Sequence, residues 1–477
     1  MQAKKLTSNF LIQSLGKVGS VVIGLLVVAL LTRHLGQSGY GEYTTAITFL
    51  QMFGVVVDFG LTLTLNVMLS EEGSDQEKVA GNILSLRLLS GALVFGIAPL
   101  VVLGFPWSAT IKLAVAVGAV AYFFMSGATM LVGIYQRHAV MWRAALSELV
   151  NRLVLLGFIF AFVQMGYGVV AMIGALIVSN IVYFGMMIRL ARPYVEVKPK
   201  INTRFWKKAI KKSWPIGASI FFNLLYLQGD ILFLAWFREQ AEVGVYGVSY
   251  KVIDVLTAMA TMLMGLILPT MVKKWTGDDK RGFRKQLNDT FDIMVAAAIP
   301  VIVGAQAVAQ PLLAFLAGNE FAVSGSVLRV LVIAILGVFI GTLYGHTVVA
   351  LNKQKEMLWG YVAVAIVAIV GYLWLIPEYG MWGAAWVTIA SEVLIAGLTF
   401  AMVWSVTRIT PRLKTLILAL ISAGLMYVVL INLPDWHVLI HVAIGAAVYL
   451  VAMLISGGIP ISLIKSLIPR RESTESV

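Results

Sequence analysis

The chain has no cysteine among its 477 residues, which removes disulfides, thiolate nucleophiles and cysteine metal sites from the possible chemistries. Only five histidines are present, a poor supply for a transition-metal centre. No glycine-rich phosphate loop leads into a Lys-Ser/Thr pair, no His-Glu-x-x-His occurs, and no polar stretch could fold into a nucleotide-hydrolysing domain. An enzyme is therefore not expected, nor a cofactor or a metal. Charge is also scarce, at 12% of residues against 60% hydrophobic, and mean hydropathy is +0.91. A soluble core cannot absorb so much apolar surface, so much of this protein must face lipid.

What is present is a succession of apolar runs about 20 to 25 residues long, the length a helix needs to cross roughly 30 Å of hydrocarbon. They lack the ten-residue alternation of barrel strands. The expected fold is all-α and polytopic, with about fourteen spans near 8–32, 42–69, 80–104, 108–134, 143–164, 167–190, 213–237, 245–272, 290–316, 326–350, 358–376, 380–406, 412–431 and 437–457. The first run is read as a retained helix, because no small-residue cleavage site follows it. Turns such as Gly104-Phe105-Pro106-Trp107 and Pro377-Glu378-Tyr379-Gly380 punctuate the runs.

The net charge of +13 would suggest nucleic acid in a soluble protein, but the basic residues here sit in alternate loops. Of the 36 Lys and Arg, four fall outside (Arg33, Lys112, Arg238, Arg329) and four within spans (Lys17, Arg87, Arg152, Lys251). The others, down to Lys465, Arg470 and Arg471, fall inside. That bias predicts cytoplasmic termini, an even number of spans and no nucleic-acid partner. The most basic loop, 191–212 with Phe205-Trp206 inside it, is expected to link two halves and to lie on the anionic inner leaflet; a solvated loop that only sets topology is the competing reading. The predicted division is an N-terminal six-helix lobe at 1–190, the linker at 191–212, a C-terminal six-helix lobe at 213–406, and two further helices with a tail at 407–477.

The halves repeat one another. A corner between spans 1 and 2, Arg33 to Tyr43, returns as Trp236 to Tyr246, with Gly41-x-Tyr43 matching Gly244-x-Tyr246 at an offset of 203 residue numbers. Span 1 carries Asn9, Gln13, Lys17, Ser20 and Gly24 on one helical face, and span 7 carries Ser219, Asn223, Tyr226 and Asp230 in matching register. Span 2 adds Thr44, Thr48, Gln51, Asp58 and Thr62; span 8 adds Tyr250, Asp254, Thr257 and Thr261, with Lys251 beside them. Polar stripes are costly against lipid, so they are expected to turn inward to a shared central cavity. The competing reading is polar glue between helices.

The ionisable groups divide further. Asp58 and Arg87 lie at similar depth, as do Asp230 and Lys251, with Asp254 one turn from Lys251; each set could be a fixed pair or a functional one. Glu148 and Arg152, four residues apart, are expected to form a structural pair. Glu392 lies mid-span without an evident partner, which suits a proton- or cation-linked role. Lys17 has no nearby sequence partner and is the leading candidate to hold an anionic ligand.

Several of these stretches carry a resemblance. Thr32-Arg33-His34-Leu35-Gly36, Tyr40-Gly41-Glu42-Tyr43 and Asp58-Phe59-Gly60-Leu61 resemble the N-terminal signature of the polysaccharide biosynthesis, or oligosaccharide flippase, family of the O-antigen type. That family sits in a superfamily with the multidrug and toxin extrusion proteins and the lipid II flippases. Gly229-Asp230 with Val243-Gly244-Val245-Tyr246 resembles its second-lobe counterpart, and Gly318-Asn319-Glu320-Phe321, Leu351-Asn352-Lys353 and Pro377 to Ala385 follow in the family's order. The resemblance implies two pseudo-symmetric six-helix lobes in a V around a central cavity, plus two C-terminal helices, in the plasma (inner) membrane.

By the same analogy the partner is a polyprenyl-pyrophosphate-linked oligosaccharide, flipped outward by alternating access. Lys17, Arg87, Arg152 and Lys251 would meet its pyrophosphate, and Asn223 and Tyr226 its sugars. Asp58, Asp230, Asp254 and Glu392 would serve ion coupling, with a proton or sodium as the coupling ion. Membrane lipids and polysaccharide polymerase machinery are the other partners so implied. A drug or cation antiporter of the multidrug and toxin extrusion type is the first alternative, since carboxylates accompany the bases. A non-transporting scaffold for glycan assembly is the second.

Overall fold

The computed structural model describes residues 2–69, 75–138 and 140–458, with the side chains of 2–15 and 215 excepted. The predicted stripe residues Asn9 and Gln13, as side chains, and the tail residues Lys465, Arg470 and Arg471 lie outside the described residues. All regular structure among the described residues is helical: α1 (Gln2–Asp58), α2 (Leu61–Leu69), α3 (Gln76–Val101), α4 (Ala109–Met130), α5 (Val132–Arg137), α6 (Met141–Gln164), α7 (Val169–Ala191), α8 (Thr203–Phe237), α9 (Gln240–Thr276), α10 (Lys280–Ala317), α11 (Ala322–Leu331), α12 (Ala334–Ala350), α13 (Gln354–Thr407), α14 (Lys414–Ile431) and α15 (Val438–Ile455).

Among the described residues, eleven helices are long and apolar enough to cross a membrane, or twelve when α12 and the turns before it, bent by 51°, count as one span. Two of the eleven, Gly16–Leu69 and Gln354–Thr407, are 54 residues long. At about 1.5 Å per residue each would extend roughly 80 Å, more than twice a hydrocarbon core. Each contains a backbone break at a glycine in a left-handed conformation, Gly36 (φ 64°) and Gly380 (φ 55°). Both breaks fall at predicted turns, and both use the one residue that adopts positive φ without a Cβ penalty. A third break was not anticipated: Phe59 (φ 39°) and Gly60 (φ 77°) part α1 from α2 in the middle of the second predicted span.

Local chemistry sets several helix starts. Asp75 accepts from the Lys78 backbone N–H, Ser108 from Ile111 and Asn202 from Phe205, each answering one of the amides a first turn leaves without a partner. The linker at 191–212 is not loop throughout, because α8 begins at Thr203 and runs without interruption into the seventh span.

The chain divides into two compact units. The first comprises Met1–Ser249, Leu316–Ser324 and Gln354–Ser391; the second comprises Tyr250–Phe315, Gly325–Lys353 and Glu392–Val477. In the first, an apolar core near the linker joins Leu61, Leu65, Ile83, Tyr135, Tyr183, Met187 and Ala209. In the second, glycines bring backbones close: a Cβ on Gly325 would lie 2.6 Å from the Gln310 nitrogen, and one on Gly337 would lie 2.9 Å from the Glu392 carbonyl carbon. Tyr449 of α15 donates to the Ala296 carbonyl of α10 at 2.8 Å, tying a C-terminal helix to that unit.

Candidate functional site

The first unit contains a cavity of about 410 Å³ between α1, α2, α3, α4 and α8. Gln51, Asp58, Thr62, Arg87, Tyr122, Ser126, Thr129 and Gln228 supply polar groups, and Phe95, Met125, Ile220 and Leu224 the apolar wall. Sequence reasoning found Gln51, Asp58, Thr62 and Arg87 but missed the contribution of α4. The signal was there: Tyr122, Ser126 and Thr129 step by four and three and so share a helical face.

At the centre of the wall is an ion pair. The Arg87 side chain is 3% exposed and pairs through Nη1 with Asp58 Oδ1. It also donates to the Ser126 carbonyl at 3.2 Å and to Thr129 Oγ1 at 3.3 Å. Asp58 is as fully engaged: Thr62 donates to Oδ1 at 2.6 Å, and the Gly60 N–H reaches Oδ2 at 3.2 Å. Asp58 therefore serves twice, neutralising a buried guanidinium and holding the break between α1 and α2. That break packs on α8, where a Cβ on Gly217 would lie 2.6 Å from the Phe59 carbonyl carbon.

The remaining predicted residues fall elsewhere, and several expectations are corrected. Lys17 is not without a partner: it binds Glu148 Oε1 at 2.7 Å, across 131 residues of sequence. Glu148 consequently does not form the expected pair with Arg152, which makes no ion pair among the described residues and lies within electrostatic reach of the cavity hydroxyl of Tyr122. Beside the Lys17–Glu148 pair α1 packs closely on α6, with Gly16 against Ala145 and Gly19 against Leu149, whereas Gly24 of the same stripe as Lys17 has nothing within 4 Å of an added Cβ.

Asp230 belongs to the first unit. It is fully buried, accepting from the Tyr246 hydroxyl at 2.5 Å and Thr388 at 3.1 Å on Oδ2, and from the Ile231 N–H at 2.8 Å on Oδ1. Tyr226 is buried beside it, taking a 2.6 Å bond from Asn223 Nδ2 and offering its carbonyl to Tyr372. In the second unit Lys251 pairs with Asp254 at 2.9 Å, one turn along α9, and Glu392 is buried. Among the polar groups of the first unit, those near Asp58 line the cavity, while Lys17, Tyr226 and Asp230 are not among its lining residues.

The repeated corners meet. A Cβ on Gly41 would lie 2.7 Å from the Gln240 carbonyl carbon and 3.0 Å from the Gly244 nitrogen; one on Gly244 would lie 3.0 Å from the Gln37 carbonyl carbon and 3.1 Å from the Gly41 nitrogen. Gln37 with Gln240, and Gly41 with Gly244, each differ by the same 203 positions, so this backbone crossing is reciprocal. Thr45 donates to Gln240 Oε1 at 2.8 Å, and Thr44 packs on Gly247. Glu242 braces the corner by accepting from Arg238 at 2.8 Å and from the Met381 N–H at 2.6 Å, just past the Gly380 break. A second hollow of about 700 Å³ lies at this corner, lined by Gln37, Arg238, Glu239, Glu242 and Met381 among others.

Known proteins share this architecture. A lipid II flippase, MurJ, in an inward closed conformation superposes with a TM-score of 0.76 at 15% identity, covering 93% of this chain and 98% of that one. An inward-facing multidrug resistance MATE family transporter gives a TM-score of 0.65 at 14% identity, over 82% and 94%. In sequence, the succinoglycan biosynthesis transport protein ExoT of Rhizobium meliloti (strain 1021) is 22% identical over 490 residues, spanning 96% of this chain and 94% of its own. Residues 6–275 match the polysaccharide biosynthesis protein family, and that stretch includes α1, α2, α3, α4 and α8, every helix that lines the cavity, together with both corners. The protein is a multi-pass membrane member of the polysaccharide biosynthesis protein family.

Proposed function

We propose that this protein is a flippase, not an enzyme, that moves a polyprenyl-pyrophosphate-linked oligosaccharide from the cytoplasmic to the outer leaflet of the plasma membrane by alternating access. The architecture in this reading has fourteen crossings, both termini in the cytoplasm, lobes at 1–190 and 213–406, a linker at 191–212, and two added helices at 407–477. The observation that carries it is the pairing, within one unit, of a polar cavity with a sealed corner. Under the charge bias the cavity lies on the cytoplasmic side of the Gly41–Gly244 crossing. A substrate would enter beside Asp58 and Arg87, and separation of the corner would release it outward.

Roles follow from geometry. Arg152, with no ion pair among the described residues, is the cation best able to meet a pyrophosphate, since Arg87 and Lys17 already hold carboxylates. Gln51, Tyr122, Ser126 and Gln228 offer hydrogen bonds to sugar hydroxyls. Asp230, buried and accepting from the Tyr246 and Thr388 hydroxyls, suits a coupling proton or sodium ion; Asp254 and Glu392 are secondary candidates, and Lys251 is engaged by Asp254.

The test is genetic and chemical. Deleting the gene should trap lipid-linked oligosaccharide on the cytoplasmic leaflet, and Arg152→Ala should reproduce much of that defect while Lys17→Ala should not. Normal surface glycan after deletion would end the proposal. The buried Asp230 also favours a second reading, a cation-coupled drug antiporter, for which deletion would change only sensitivity to cationic dyes.

A further inference from the structure

The first turns of α8 have two unlike faces. Phe205, Ala209 and Ser213, four residues apart, turn inward: Ala209 and Ser213 are buried, and Phe205 packs on the apolar core near the linker. The backbone just before them is fixed. The Lys200 N–H donates to the Gly81 carbonyl at 3.2 Å, a Cβ on Gly81 would lie 3.4 Å from the Lys198 carbonyl carbon, and the Trp206 indole donates to the Asn82 carbonyl at 3.0 Å.

On the other side Arg204, Lys207, Lys208 and Lys211 are exposed, and none forms an ion pair among the described residues. No acidic residue occurs between Glu196 and Asp230, so nothing within that stretch compensates the charge. Interleaved with the cations are exposed apolar side chains, Ile201, Ile210 and Trp214, at 74%, 45% and 49%. Water alone would favour neither the bare indole nor the isoleucines there.

We propose that this ramp, 201–214, is a binding surface for anionic phospholipid head groups. Its cations engage phosphates while Ile210 and Trp214 enter the head-group boundary. A helix that carries cations beside exposed apolar side chains has the chemistry of an interfacial anchor, and the docked backbone presents it without further ordering. The placement on an anionic leaflet rests on the orientation proposed above; the lipid preference does not, because it can be read in symmetric vesicles. Since α8 continues into Ile220, Leu224 and Gln228 of the cavity wall, bound lipid would also fix the height of that wall.

The experiment uses the full chain in liposomes of phosphatidylcholine with phosphatidylglycerol, one of the two brominated. Quenching assigned to Trp214, by difference from Trp214→Phe, should be stronger with brominated phosphatidylglycerol than with brominated phosphatidylcholine. Each cation near such a surface is expected to favour the anionic lipid by roughly fivefold. Lys207→Gln/Lys208→Gln/Lys211→Gln should bring the two lipids to parity, whereas the corresponding triple Lys→Arg variant should keep the preference. Equal quenching by both lipids in the wild type, or a preference that survives the triple Gln variant, would overturn the proposal. No glycan is present, so a failed result here leaves the transport reading to its own test.

Discussion

Gly41→Leu places a large steric demand on one of the closest backbone contacts in the first unit. In a helix interior, losing a glycine normally stabilises by about 0.5–1 kcal/mol. At Gly41 the opposite should hold, because even a Cβ would sit 2.7 Å from the Gln240 carbonyl carbon, about 1 Å inside ordinary carbon–carbon contact. The two corners must separate, and overpacking of this kind costs roughly 1–3 kcal/mol. At 1.4 kcal/mol per tenfold, the equilibrium between joined and parted corners should shift about 5- to 150-fold. The native chain has no cysteine, so Thr45→Cys/Gln240→Cys can report on the contact without background. Cross-linking by a short bifunctional thiol reagent should fall strongly with Gly41→Leu, less with Gly41→Ala, and equally with Gly244→Ala. Gly24→Ala, where nothing lies within 4 Å of the added carbon, should leave it unchanged. Undiminished cross-linking in Gly41→Leu would refute the steric argument and with it the proposal that the corner separates to release substrate.

The other predictions follow from particular contacts. Arg87→Met should lower thermal stability by about 3–5 kcal/mol through the stranded carboxylate, while Arg87→Met/Asp58→Asn should recover part of the loss; equal melting temperatures for the single and double variants would contradict a buried, mutually dependent pair. Lys17→Ala and Glu148→Gln should each cost less than about 1 kcal/mol, since both partners are partly solvated, and thermal unfolding in detergent measures it. Glu242→Gln should loosen the backbone past Gly380, seen as faster amide exchange at Met381. At the end of α5, burial holds His138 below its usual pKa range, and neighbouring Arg137 adds to the effect. A depressed histidine contributes stability above about pH 6.5 and loses it as pH falls through the folded-state value. The wild type should therefore lose more melting temperature than His138→Gln between pH 7 and pH 5.

Much of this architecture was legible because membrane helices leave few options. The breaks at Gly36 and Gly380 stood out as glycine turns between apolar runs of crossing length, and the corner repeat could be read from Gly41-x-Tyr43 and Gly244-x-Tyr246 alone. Pairs close in sequence were similarly open to reading, as with Lys251 and Asp254. Lys17 with Glu148, and Asp230 with Thr388, were not, because 131 and 158 residues separate the partners and only the rotation of each helix decides which neighbour its stripe meets. The Phe59–Gly60 break was obscured for another reason: it sits inside an apolar run, and its cap, Asp58, read naturally as a coupling or ion-pair residue rather than as one that also holds backbone.

The contrast between the two ends of α1's second segment gives the repeat a physical meaning. At the corner the contact obeys the sequence symmetry, Gln37 and Gly41 meeting Gln240 and Gly244 through one common offset, so each half supplies the same surface. Near the linker the contact is one-sided: Gly60 and the Phe59 carbonyl meet Ser213 and Gly217 at the start of the seventh span, positions that are not the repeat's counterparts of Phe59 and Gly60. Both contacts bring backbones close, and each has a hollow beside it: the cavity around Asp58 and Arg87 lies at the asymmetric one. The second segment of α1 therefore meets α9 at one end and α8, beside the cavity, at the other. If the chain alternates between two states, parting the symmetric end must break a close backbone contact that both halves supply, so a methyl group at Gly41 and one at Gly244 should weigh on the cycle alike.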